Sequence, residues 1–275
     1  MPRYIRPANL AEAAAALASR QAVVLAGGTE LYRVAFPPAG ATVIDLARLD
    51  ELRQIVCGEA GLCLGALARW SDLLEAELPD WAAPLREAAE AISTPQIRHA
   101  GTLGGNLASR TGEGDGAVAL LVLQARARVC GPAGFGELPL AQFLTRPPDD
   151  VALLTHIMVP PPGPHTRAGF RKLGLRKALG PPIGAVAASL RRDRAGAVER
   201  ACAAVAAPGL RPMRLMVLEE RLHGLPPGSD PSPLVDAAIA ALPEPRDDEA
   251  CSAGYRRHAL AALLRRLLAE LDGAP

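Results

Sequence analysis

The chain has 275 residues, 49% of them hydrophobic, which is enough to bury two or three compact cores and too apolar for a disordered segment. Lys and Arg total 30 against 29 Asp and Glu, so there is no electrostatic reason to expect a nucleic acid or an anionic membrane as partner. No apolar run reaches the roughly 18 residues of a membrane span, and Met1-Pro2-Arg3-Tyr4 opens no apolar signal core; the expectation is a cytoplasmic protein. Of the cysteines, only Cys57 and Cys63 lie close together. Their spacing fits no common zinc or iron–sulfur pattern, so reduced thiols and no metal bound by this chain are expected.

Asn9 is placed to cap a helix over the alanine-rich stretch Leu10 to Ala18. The apolar run Gln21 to Ala26 reads as a buried strand that ends in Gly27-Gly28-Thr29-Glu30. Further strands are expected at Thr42 to Leu46 and Leu62 to Leu64, and helices at Trp70 to Leu78 and Pro84 to Ile92. Ser93 to Ala100 reads as a Pro-interrupted connector, followed by the glycine-rich run Gly101-Thr102-Leu103-Gly104-Gly105-Asn106. Ala117 to Gln124 has helical composition and Arg126 to Cys130 reads as a strand. Pro160 to Pro164 reads as a linker, and the main domain boundary is placed near it. Beyond it, Ala185 to Leu190 and Val198 to Ala206 suit strands, and Leu260, Leu263, Leu264, Leu267, Leu268 and Leu271 recur at helical spacing.

Glycine lets a main chain approach a phosphate closely and adopt positive φ, and successive N–H groups then form an anion-binding nest. Gly27-Gly28-Thr29 stands where a strand ends and a short helix begins, and Gly101 to Asn106 offers a second such loop. Together the two are suited to the two phosphates of one dinucleotide. Neither is a Gly-x-Gly-x-x-Gly fingerprint or a Walker loop. Glu30 would repel a phosphate, so its carboxylate is expected to point away, toward main-chain N–H groups or a sugar hydroxyl.

With these residues assembled, Ala26-Gly27-Gly28-Thr29-Glu30-Leu31 and Gln96-Ile97-Arg98-His99-Ala100-Gly101-Thr102-Leu103-Gly104-Gly105-Asn106-Leu107-Ala108 resemble the medium, FAD-binding subunit of the xanthine dehydrogenase and carbon monoxide dehydrogenase family of molybdenum hydroxylases. The resemblance continues through Asp115, Phe170 to Arg176, Arg211-Pro212-Met213-Arg214 with Glu219 and Gly224, and Tyr255-Arg256-Arg257-His258. It implies an α+β fold: a PCMH-type FAD domain over 1–163, in subdomains of about 1–57 and 58–163, then a C-terminal α+β domain over 168–275. FAD would lie between the subdomains, its diphosphate bound by Leu25, Ala26, Gly27, Gly28, Thr29, Glu30 and Leu31 and by Gly101, Thr102, Leu103, Gly104, Gly105 and Asn106. By the same resemblance Asp115 is a carboxylate near the cofactor, and Ile92, Leu153 and Lys172 approach the flavin end.

Two departures stand out. His99 occupies a position where the family has Asn, and Thr111-Gly112 a position where it often has Ser-Pro. Neither removes a backbone donor. The Cys-rich iron–sulfur insertion of relatives that reduce aromatic acyl-CoA has no counterpart here, which argues against that branch. The family implies no catalytic residue for hydroxylation in this chain. A large partner subunit would hold the molybdenum cofactor and a small one two [2Fe–2S] clusters, with electrons passing to FAD and then to NAD, oxygen or a quinone. Two other readings compete: a stand-alone PCMH-type flavoenzyme, such as an oxidase or an enolpyruvyl reductase, and a flavin-free structural subunit.

Overall fold

The computed structural model describes residues 1–19, 21–34, 37, 39–109, 114–131, 134–147, 152–176 and 181–273. Thr111 and Gly112, one of the two departures, lie outside the described residues. The chain divides into two compact units, and neither is continuous in sequence. The first takes residues 1–76, 94–109 and 125–160, the second 77–93, 110–124 and 161–275. One of the crossings between them falls at Pro160–Pro161, inside the proline run.

The first unit holds two sheets. Strands β1 (Arg3–Ile5), β2 (Ala22–Leu25) and β3 (Thr42–Asp45) form a parallel sheet in the order β1-β3-β2. The helix Leu10–Leu17 packs Ala13 and Leu17 against Ile44 and Leu46. Asn9 caps that helix, its side-chain oxygen accepting from the Glu12 N–H at 2.9 Å. The second sheet is antiparallel, with β4 (Ile55–Gly58), β5 (Gly61–Gly65), β6 (Arg126–Gly131), β7 (Gly134–Pro139) and β8 (Leu153–Val159) in the order β4-β5-β8-β6-β7.

The second unit is built on an antiparallel sheet of β9 (Thr166–Gly174), β10 (Pro182–Arg192), β11 (Val198–Ala207) and β12 (Leu210–Arg214) in the order β12-β11-β10-β9. Each strand there pairs antiparallel with its sequence neighbour, so no crossover connection is needed. One face carries Val186, Ala188 and Leu190 against Leu260, Leu264, Leu267 and Leu268 of the helix Ala253–Gly273. The other carries Ala185, Ala187, Ala204 and Ala206, whose small side chains let the wholly buried helix Asp115–Val122 lie close to the sheet. Ser189 on that face donates to the Val122 carbonyl at 3.2 Å, satisfying the end of the helix. Arg256 is fully buried; it donates to the carbonyls of Arg246, Pro182 and Ile183 at 2.9 Å each and pairs with Asp248. This ties the start of the terminal helix to the start of β10.

The expected α+β class holds, and two local expectations are corrected. Ser93 to Ala100 is not a connector throughout: Pro95–Ala100 is a helix, capped by the Thr94 hydroxyl, with Pro95 in the first turn where its missing N–H costs nothing. The run Gly101 to Asn106 is not all loop either, because a helix begins within it and spans Leu103–Ser109.

Candidate cofactor site

The first glycine motif leaves the parallel sheet at the carboxyl end of β2, the edge where open parallel sheets bind ligands. Leu25 is buried and in register with Asp45 of β3, and its carbonyl accepts the Leu46 N–H at 3.0 Å. Asp45 is itself buried. It accepts from Arg6 Nε at 2.8 Å, from the Ala47 N–H at 2.9 Å and from the Tyr4 hydroxyl. Burial alone would raise the pKa of this carboxyl, but hydrogen bonds from Tyr4, Ala47 and Arg6 outweigh it and hold the group below its ordinary value. A charged Asp45 thus fixes the strand end beside the loop. Sequence reasoning missed it, although an acid closing an apolar strand was the available signal.

The two motifs, far apart in the chain, meet within this unit. A Cβ on Gly27 would stand 2.0 Å from the Ala100 carbonyl oxygen and 3.1 Å from Gly101 Cα, so only glycine permits the approach. Across the same junction Thr29 Oγ1 lies 3.6 Å from where a Gly101 side chain would begin. Ala26 packs on the apolar core of the unit, Glu30 is half-buried and Leu31 starts a short helix, Leu31–Val34. That helix has four residues, so its dipole adds little and the loop's own N–H groups matter more. Among the described residues, the N–H groups of Gly27, Gly28 and Thr29 have no protein acceptor.

In the second motif every main-chain donor but that of Thr102 is already spent, contrary to the expectation of a second nest of successive N–H groups. Gly101 N–H donates to the Ile97 carbonyl at 2.7 Å, Leu103 N–H to Ala68 at 2.9 Å and Gly104 N–H to Ala66 at 2.8 Å. Gly105 N–H donates to Thr102 Oγ1 at 3.1 Å, and Asn106 N–H to the Thr102 carbonyl at 3.0 Å. Gly104 serves packing: a Cβ there would meet the Ala66 carbonyl oxygen at 2.7 Å. The Ala66 and Ala68 carbonyls that fix this motif carry no signal in sequence. What the motif leaves available, among the described residues, is the Thr102 N–H, which has no protein acceptor, and one side chain, since Asn106 Oδ1 is buried with no hydrogen-bond partner. An unspent acceptor on a carboxamide and a loop of unspent N–H donors suit a polar, partly anionic ligand. FAD, with its diphosphate and ribityl hydroxyls, fits both.

Three further predicted residues lie together in the second unit. Asp115, buried, is the first residue of the helix Asp115–Val122, where the helix dipole favours a carboxylate. Lys172 of β9 shares the strand face of Ala185, and its Nζ reaches Asp115 Oδ2 at 2.5 Å and the Ala91 carbonyl at 3.3 Å. Ile92, buried, follows Ala91 directly at the end of the helix Ala83–Ala91. Glu87 on that helix accepts from the Phe170 N–H and from Arg171, which pins the helix to β9. Leu153 has a different place: its side chain lies in the apolar core of the first unit, with Ala13, Leu17 and Ile44. His99 is exposed on the helix Pro95–Ala100. No cluster of three or more His, Cys, Asp or Glu able to hold a metal ion, and no helix long and apolar enough to cross a membrane, occurs among the described residues.

Comparison with known proteins agrees with this geometry. A family model described as the FAD binding domain in molybdopterin dehydrogenase matches residues 1–162. The xanthine dehydrogenase FAD-binding subunit of Escherichia coli O157:H7 is 28% identical over 290 aligned positions, covering 98% of this chain and 96% of the relative. The caffeine dehydrogenase subunit beta of Pseudomonas sp. (strain CBB1) is 29% identical, with 97% and 93% covered. Among solved structures, a chain of the carbon monoxide dehydrogenase from Hydrogenophaga pseudoflava, in a form lacking the Mo-pyranopterin moiety, superposes with a TM-score of 0.85 at 26% identity, covering 97% of this chain and 95% of that one.

Two predictions follow from the packing. Gly27→Ala drives a methyl into the Ala100 carbonyl; the FAD dissociation constant should rise at least about tenfold, read by titration of the cofactor-free protein, from strain of about 1–3 kcal/mol. Lys172→Met leaves the Asp115 carboxylate buried without its ammonium and should cost about 3 kcal/mol in urea unfolding, whereas Lys172→Met with Asp115→Asn should recover most of that loss.

Proposed function

Because the chain belongs to the family of FAD-binding domains of molybdopterin dehydrogenases, we propose that it is the flavin subunit of a molybdenum hydroxylase complex. It is an oxidoreductase component that acts with other subunits. The observation that carries the reading is the junction of the two glycine motifs, with free N–H groups on one side and the unpartnered Asn106 Oδ1 on the other. Gly27, Gly28 and Thr29 hold the FAD diphosphate through their N–H groups, while the second motif contributes the Thr102 N–H and the Asn106 side chain. Gly101, Leu103, Gly104 and Gly105 shape the second wall rather than donate. Ile92, Asp115 and Lys172 contact the flavin end, where the paired charges of Lys172 and Asp115 set the polarity around the ring. Leu153, in the apolar core of the first unit, would act on the cofactor only through packing.

When bound, FAD would supply the redox chemistry, the reading being that electrons reach it from [2Fe–2S] clusters and leave to an external acceptor: NAD, oxygen or a quinone. The clusters belong to a small partner subunit and the molybdenum cofactor to a large one. Hydroxylation, the source of those electrons, would take place on the large partner, and this chain's residues bind and orient the flavin.

Two measurements test this. The purified chain should release free FAD on denaturation, since the tie is non-covalent. Tagged chain expressed from its native gene neighbourhood should bring down two partners, one with iron and labile sulfide and one with molybdenum, and the chain alone should hydroxylate no purine, aldehyde or heteroaromatic compound. Colourless protein that takes up no added FAD would refute the cofactor assignment. Recovery of this chain alone, flavin-loaded, in repeated pull-downs would favour a stand-alone flavoenzyme.

A further inference from the structure

Aromatic residues make up only 3% of the chain, and one of them sits against the first glycine motif. Tyr32 lies in the short helix that follows the loop, and its N–H donates to the Gly28 carbonyl at 3.1 Å, closing the turn. That bond fixes where the side chain starts. The ring then lies against Gly28: a Cβ built on Gly28 would stand 3.0 Å from both Cδ2 and Cε2 of Tyr32. Gly28 has φ +70°, so the residue is held in the left-handed region and also provides the bare surface on which the ring rests. Despite this contact Tyr32 is 52% exposed. An exposed tyrosine ring, fixed by the backbone that surrounds the free N–H groups of Gly27, Gly28 and Thr29, is positioned to stack on a flat group attached to whatever anion those N–H groups bind.

We infer that Tyr32 is the stacking platform for the purine end of the dinucleotide, and so the residue through which this chain prefers FAD over FMN. The inference rests on the FAD reading above. The flavin ring is assigned there to Ile92, Asp115 and Lys172, which leaves the adenine as the planar group for the ring at the loop. Stacking of a base on an aromatic side chain is tolerant of the hydroxyl, so the phenol oxygen contributes little and the π face most. The nucleotide part carries this recognition without touching the flavin, and ADP alone should engage it.

The experiment uses the full chain freed of cofactor, with calorimetric titration of FAD, FMN and ADP into wild type, Tyr32→Phe and Tyr32→Leu. Leucine keeps an apolar group against Gly28 while removing the π face, and phenylalanine keeps the ring. The expected result is that Tyr32→Leu raises the dissociation constants of FAD and ADP about tenfold, a change of about 1.4 kcal/mol, and leaves FMN unchanged. Tyr32→Phe should stay within about twofold of wild type for all three. The inference is overturned if Tyr32→Leu binds ADP as wild type does, or if it weakens FMN as much as FAD, which would mean the ring only braces the loop or faces the flavin instead. A wild-type chain that binds neither FAD nor ADP would overturn the cofactor reading itself, and this inference with it.

Discussion

The contact on which the first unit's site depends is the approach of Gly27 to the Ala100 carbonyl, closer than any side chain would allow. It joins a loop at the edge of a parallel sheet to the last residue of a separate helix, Pro95–Ala100. Each side is held independently. On the first, Leu25 is bonded to Leu46 and flanked by the Asp45 cluster; on the second, Ala66 and Ala68 accept from Gly104 and Leu103. Because both walls are fixed by main-chain hydrogen bonds to strands or their extensions, the donors of Gly27, Gly28 and Thr29 are presented without a further ordering cost on binding.

The glycines of the two motifs therefore do different work. In the first, absent side chains expose donors and admit a neighbouring backbone. In the second, Gly104 and Gly105 sit in a helix, where glycine costs about 1 kcal/mol per residue relative to alanine. That cost is accepted because the Ala66 carbonyl occupies the space a methyl at residue 104 would need. The second unit supplies its own polar element, the Lys172–Asp115 pair. The alanines of β10 and β11 let the helix that begins at Asp115 settle on the face from which Lys172 projects.

Much of this was legible in the sequence, and what was hidden has physical causes. The cap at Asn9, the long C-terminal helix and the strands β10 and β11 were read correctly, because each carries a strong local signal of capping residue, period or apolar run. Strands β7 and β9 were not foreseen. Nearly every residue of β7 is exposed, and β9 mixes Arg167, Arg171 and Lys172 with glycines, so neither shows an apolar pattern. The helix at Pro95 was masked by reading proline as a breaker where it serves as a first-turn residue. The pairing of Lys172 with Asp115 rests on register between distant segments, which no local pattern encodes, and only the family resemblance placed both near one ligand. That same resemblance also named Leu153, whose side chain turns out to belong to the core.

The central claim is that the first motif binds the diphosphate through free main-chain donors, while the second forms a wall whose donors at Leu103, Gly104 and Gly105 are already engaged. Hydrogen exchange with and without FAD reads this directly, amide by amide. The account predicts that the amides of Gly27, Gly28 and Thr29 exchange fast in the cofactor-free chain and slow sharply when FAD is added, whereas those of Leu103, Gly104 and Gly105 are protected in both states. Unchanged exchange at Gly27 to Thr29 on saturation with FAD, or fast exchange at Leu103 to Gly105 that slows only with FAD, would contradict it.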